Sequence, residues 1–143
     1  MKSTLYLLLL MVGATGALCA QNADIQVTVN GIEAANQGPV VFMLFSSSDG
    51  FPTDPAKARQ IGQVTGYTSS ATYTFSGVPA GRYAVAVFQD KNANRVADTN
   101  FLGIPKEPVG AYQHASFGRP NFSKCSFTHG PNDAKLQLQL LNQ

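Results

Sequence analysis

The chain has 143 residues, with ten Lys and Arg against eight Asp and Glu, and a formal charge of +2 at neutral pH. It contains no run of five or more basic residues, which argues against nucleic acid and anionic membranes as main partners. Thirteen Gly and eight Pro, without a single Trp, indicate a fold rich in turns.

The N-terminus carries Lys2, then an apolar run from Leu5 to Val12, then the small residues Gly13, Ala14, Gly16, Ala17 and Ala20. A basic start, a short apolar core and a small-residue exit describe a secretory signal peptide over residues 1–20. The run is too short to span a bilayer, which needs about 20 apolar residues. Residues 21–143 are then expected to form one exported domain, a size that can build its own core. Cys19 leaves with the signal, so Cys125 has no partner for an intramolecular disulfide even in an oxidising compartment. It is expected to be a small buried hydrophobe.

Along the rest of the chain the apolar period is two. Ile25, Val27 and Val29 alternate with polar residues, as do Leu136, Leu138 and Leu140, and each set reads as a half-buried strand. Val40 to Phe45 is continuously apolar, and Tyr83 to Phe88 is apolar on both faces, which places both centrally. Tyr73 and Phe75 mark a further strand, and Ser123, Cys125 and Phe127 suggest another near an edge. Pro55 to Ile61 reads as two helical turns, with Asp54 as the cap and Pro55 in the first position. His129 reads as a solvated loop residue. Turn clusters at Asn30-Gly31, Asp49-Gly50, residues 77–81 and residues 130–133 separate these runs. The fold class expected is an all-β antiparallel β-sandwich, prealbumin-like or Ig-like, of about seven strands with two long polar loops.

The two loops carry the candidate chemistry. Connections usually run about 4–6 residues, and longer ones are often functional. Asp90, Asn92, Asn94 and Asp98 fall at positions one, three, five and nine of a calcium-type loop, and Val96 can offer its carbonyl at position seven. Arg95 occupies position six, where such loops usually have Gly, and Phe101 stands where a bidentate Glu belongs. With two carboxylates the expected Ca²⁺ affinity is low, roughly 10⁻⁴–10⁻³ M. The alternative is an Asx-rich turn that bonds only its own backbone. The second stretch, Phe101 to Phe122, carries Glu107, Tyr112, His114 and Arg119 as candidate binding residues. Glu107 there is expected to pair a backbone amide or Arg119. No His-Glu-x-x-His, Gly-x-Ser-x-Gly or Cys-x-x-Cys motif occurs, so no catalytic residue is assigned.

The stretch Gly81 to Glu107, running Gly-Arg-Tyr-Ala-Val-Ala-Val-Phe-Gln-Asp-Lys-Asn-Ala-Asn-Arg and on to Gly-Ile-Pro-Lys-Glu, resembles the signature of an uncharacterised bacterial family, domain of unknown function 2141. Val41 to Pro52 and Gly118 to Phe122 resemble it too. The resemblance implies an exported bacterial β-sandwich and no particular chemistry. The sequence departs from the family at Arg95, where Gly is usual, and near Ala111 and Tyr112, where a Ser tends to follow. The central third is also similar to the prealbumin-like B-type repeats of bacterial surface adhesins, which implies a structural Ca²⁺ role for Asp90, Asn92, Asn94 and Asp98.

Three functions follow as expectations. The first is a periplasmic or secreted module that binds an unknown ligand or envelope partner, with Ca²⁺ ordering the first loop. The second is a hydrolase-like enzyme using Glu107, His114 and Arg119. The third is a structural envelope or adhesion subunit.

Overall fold

A computed structural model describes residues 21–32, 38–116 and 118–141. The proposed signal peptide over residues 1–20 lies outside the described residues.

Among the described residues eight strands form two sheets. The first holds β1 (Ala23–Asn30) between β4 (Ser70–Val78) and β8 (Ala134–Gln139). The second runs β3 (Gln60–Val64), β2 (Val40–Phe45), β5 (Gly81–Gln89), β6 (Val109–Ala111), and β7 (Phe127–His129) also pairs with β5. All pairs are antiparallel except β1 with β8, which run parallel from Ile25↔Ala134 to Asn30↔Gln139. The architecture is the expected β-sandwich.

The inner faces of the two sheets make the main core. β1 supplies Ile25, Val27 and Val29, β2 supplies Val40, Phe42 and Leu44, and β5 supplies Tyr83, Val85 and Val87, all buried. β8 is buried at Leu136 and Leu138 and exposed at the residues between. Tyr73 packs against Phe42 at 5.7 Å and against Phe75 at 5.1 Å. Room for the Tyr73 ring comes from Gly62 on β3, where a β-carbon would stand 1.9 Å from Tyr73 Cζ.

The outer face of the larger sheet is buried as well. Val41, Met43 and Phe45 of β2 and Ala84, Ala86 and Phe88 of β5 meet Phe51, Ala97, Ala111 and Cys125. Among the described residues no third sheet covers them; the cover is made of loops and one helical turn. This explains why β2 and β5 read as apolar on both faces, and it confirms their central positions.

Four local expectations are corrected. Residues 55–61 are not a two-turn helix: Asp54 does cap, accepting from Ala56 N at 3.0 Å, but a 3-10 turn ends at Lys57. Ala58 turns to extended geometry, Arg59 N donates to Leu44 O at 2.7 Å, and the chain pairs with the free edge of β2 as β3. Ser123 and Cys125 are not on a strand either. Asn121 accepts from Ser123 N at 2.9 Å and nucleates the helical turn α1 (Phe122–Cys125), and β7 starts only at Phe127. Cys125 is nonetheless fully buried, as expected, and burial pushes its thiol above the ordinary value of 9.0. His129 is not solvated: it is 2% exposed, packs edge-on to Tyr83 at 6.2 Å, and neither ring nitrogen has a hydrogen-bond partner among the described residues. Finally, residues 101–122 are not one uninterrupted loop, because β6 pairs with β5 in the middle of them.

Candidate functional site

β5 ends at Gln89, and the chain leaves the sheet through a fully buried carboxylate. Asp90 accepts from Asn94 N at 3.1 Å and Arg95 N at 2.8 Å, so both of its oxygens are used by the loop it begins. Its own N–H donates to Pro39 O at 2.8 Å. Gly38 lies against it so closely that a β-carbon would stand 2.0 Å from Asp90 O. Asn92 and Asn94 form successive Asx turns, accepting from Asn94 N at 3.1 Å and Val96 N at 2.8 Å. Their amides both donate to Asp98 Oδ2, at 2.6 and 3.0 Å.

Asp90, Asn92, Asn94 and Asp98 are thus brought into one network. Val96 is exposed beside it. Arg95 at position six adopts φ 64°, so the tight turn forms without Gly, at the steric cost of a left-handed residue. Among the described residues no three His, Cys, Asp or Glu side chains gather as a ready metal site. A cation here would draw on amide and carbonyl oxygens as well.

Glu107 closes this loop from the second one. It is buried, and its two oxygens accept from Lys91 N at 2.8 Å and Asp98 N at 3.2 Å, near the two ends of the loop. Lys106 N donates to Asp98 O at 2.8 Å. The expected pairing of Glu107 with a backbone amide is found, twice over. Among the described residues, no basic side chain forms an ion pair with Asp90, Asp98 or Glu107.

Between Asp98 and Glu107 the chain makes a small hairpin, bridged at Thr99 and Pro105. Asn100 locks it: its Oδ1 accepts from Leu102 N at 2.9 Å and Ile104 N at 3.0 Å. The tip presents Phe101, Leu102 and Ile104 to solvent at 95%, 68% and 42% exposure. After β6 the chain turns at residues 111–114, where His114 N donates to Ala111 O. His114 Nε2 stands 3.1 Å from Gly118 O; a carbonyl only accepts, so Nε2 carries the proton.

Between the hairpin and the 114–120 segment lies an open cleft of about 890 Å³. Met43, Ala86 and Phe88 line it from the outer face of the sheet, Leu102 and Ile104 from the hairpin, and His114, Ser116 and Arg119 from the far segment. The structure therefore brings His114 and Arg119 to one cleft and places Glu107 beneath as a brace. Tyr112 goes elsewhere: it packs edge-on to Phe127 at 5.5 Å, against the inter-sheet core. No hydrogen bond or ion pair joins Glu107, His114 and Arg119 to one another among the described residues. The sheet residues of the cleft were not among the candidates. Their one signal was that β2 and β5 carry apolar groups on the face not needed for the main core.

The fold and site together define a β-sandwich with a loop layer on one outer face. The chain belongs to the family described as "Uncharacterized protein conserved in bacteria (DUF2141)", whose model matches residues 27–137. No curated protein and no solved structure matches it.

Proposed function

We propose that the protein is an exported binding module whose ligand site is the cleft between the 99–105 hairpin and the 114–120 segment. The observation that carries this is an open, largely apolar cleft of about 890 Å³, within the range of small-molecule sites, with a few polar groups in its lining. The braces at Asp90 and Glu107 support it, because they fix the walls before any ligand arrives. Export rests on the signal-like N-terminus, and the catalytic alternative has no observation in its favour. The probe for the cleft is N-phenyl-1-naphthylamine, a neutral apolar dye. Its fluorescence is expected to rise on binding, and Leu102→Asp, at an exposed position, is expected to abolish the rise without altering the fold. Failure of the dye to bind the wild type rejects the cleft as an apolar ligand site.

Within this reading Ca²⁺ orders the 90–98 loop, taking oxygen from Asp90, Asn92, Asn94, the Val96 carbonyl and Asp98. The support is the spacing, together with three carboxylates bonded to one loop without a basic partner. Thermal melts in EDTA and in millimolar CaCl₂ decide it: a rise that Asp98→Ala removes upholds the site, and coincident curves reject it.

The exposed tip favours one further role, contact with an envelope partner through Phe101. Phe101→Asp would then change assembly in the envelope and leave dye binding intact.

A further inference from the structure

We infer that the cleft takes a single-chain amphiphile with an anionic head, its apolar chain lying against the exposed Leu102 and Ile104, above the buried Met43, Ala86 and Phe88, and its head meeting Arg119. This rests on the cleft being a ligand site and adds the class of ligand. Among the described residues the lining contains one formally charged side chain, Arg119, and no Asp or Glu. Arg119 is exposed and has no hydrogen-bond or ion-pair partner among the described residues. The carboxylates of the loop layer are not available to neutralise it: Asp90 and Glu107 are buried and satisfied by backbone N–H groups, and Asp98 holds the amides of Asn92 and Asn94.

The remaining polar groups agree with this charge. His114 presents its Nε2 proton to Gly118 O, which ties the ring to the same segment that carries Arg119, and Ser116 lies between them in sequence. The cation stands on one wall with Ser116, whereas the floor and the hairpin wall are mainly hydrocarbon, to which Thr53 and Thr99 add only neutral hydroxyls. A ligand must match both parts, which excludes small hydrophilic anions and neutral hydrocarbons as the preferred occupant. A planar guanidinium also suits a carboxylate or phosphate head through paired N–H donors.

The test is displacement of N-phenyl-1-naphthylamine, below micellar concentrations, by dodecanoate, dodecanol and dodecyltrimethylammonium. Dodecanoate is expected to displace the dye at about fivefold lower concentration than dodecanol, the preference an exposed ion pair supplies, and the ammonium is expected to be weakest. Shortening to decanoate is expected to weaken binding by about fourfold per methylene removed. Arg119→Gln is expected to equalise the three head groups, and Arg119→Lys to retain the preference. Equal displacement by all three, or a preference that Arg119→Gln leaves untouched, overturns the anionic head while the cleft reading stands. If neither the dye nor any amphiphile binds, both fall.

Discussion

The two faces of the larger sheet are built from the same strands and held by different physics. On the inner face, Phe42, Leu44, Val85 and Val87 meet the side chains of a second sheet, and stabilisation comes from apolar area spread over many contacts. On the outer face, Val41, Met43, Ala86 and Phe88 meet loops, whose backbone polar groups need individual partners. Asp90, Glu107, Asn100 and Asn121 supply them. The difference teaches where each face is vulnerable. The inner face is damaged by removing volume, the outer face by removing one acceptor.

The largest expected effect tests the inner face. Phe42→Ala should cost about 3–5 kcal/mol by urea unfolding, because the site is dry and walled on all sides. Phe88→Ala should fall at the lower end of that range, since the loops over Phe88 can relax into the vacated space more readily than a second sheet can. Equal costs would erase the distinction between the faces.

Next comes the brace. Glu107→Ala should cost about 1–3 kcal/mol, and hydrogen exchange should accelerate at Lys91 and Asp98 while β1 amides keep their protection. Uniform acceleration throughout would mean that the loop layer is not a separable unit.

Smaller effects carry the opposite sign. His129→Leu should stabilise by about 1 kcal/mol, because it removes two buried nitrogens that lack partners. Arg95→Gly should raise stability by up to about 1 kcal/mol by relieving a left-handed residue, partly offset by the entropy of a new Gly. A fall in melting temperature for either variant would contradict the stated cause.

The smallest effect concerns pH. The Cys125 thiol is raised by burial, so the neutral form is favoured in the folded state. Its contribution is fully present below the unfolded value and is lost as pH rises through the folded one. Cys125→Ala should therefore flatten the alkaline limb of the stability profile, and the native thiol should resist alkylation at pH 8.

How much of this was legible follows from the same division. β1 and β8 were readable because their alternation reports a face that must be buried, and β2 and β5 because a continuous apolar run reports two. β3 was not: Gln60, Gly62 and Gln63 make a polar edge strand, and Gly62 is set by a Tyr73 ring from the other sheet. β6 has three residues, too few for any period. Ser123, Cys125 and Phe127 alternate by chance across a helical turn whose true signal was Asn121. The oxygen-bearing loop could be picked out because its side chains bond locally. The cleft could not, since periodicity says that the outer faces of β2 and β5 are apolar and nothing about what lies over them.

The pleat of β2 has an evolutionary consequence. Phe42 and Leu44 point one way and Met43 the other, so positions of the inter-sheet core and positions beneath the proposed cleft site alternate along one strand. Inheritance can then rewrite the exposed Leu102, Ile104 and Arg119 without disturbing the scaffold that carries them, whereas the buried Met43 and Ala86 tolerate only exchanges of similar volume. A lineage built this way is expected to conserve its architecture while its chemical preferences drift apart, one side chain at a time.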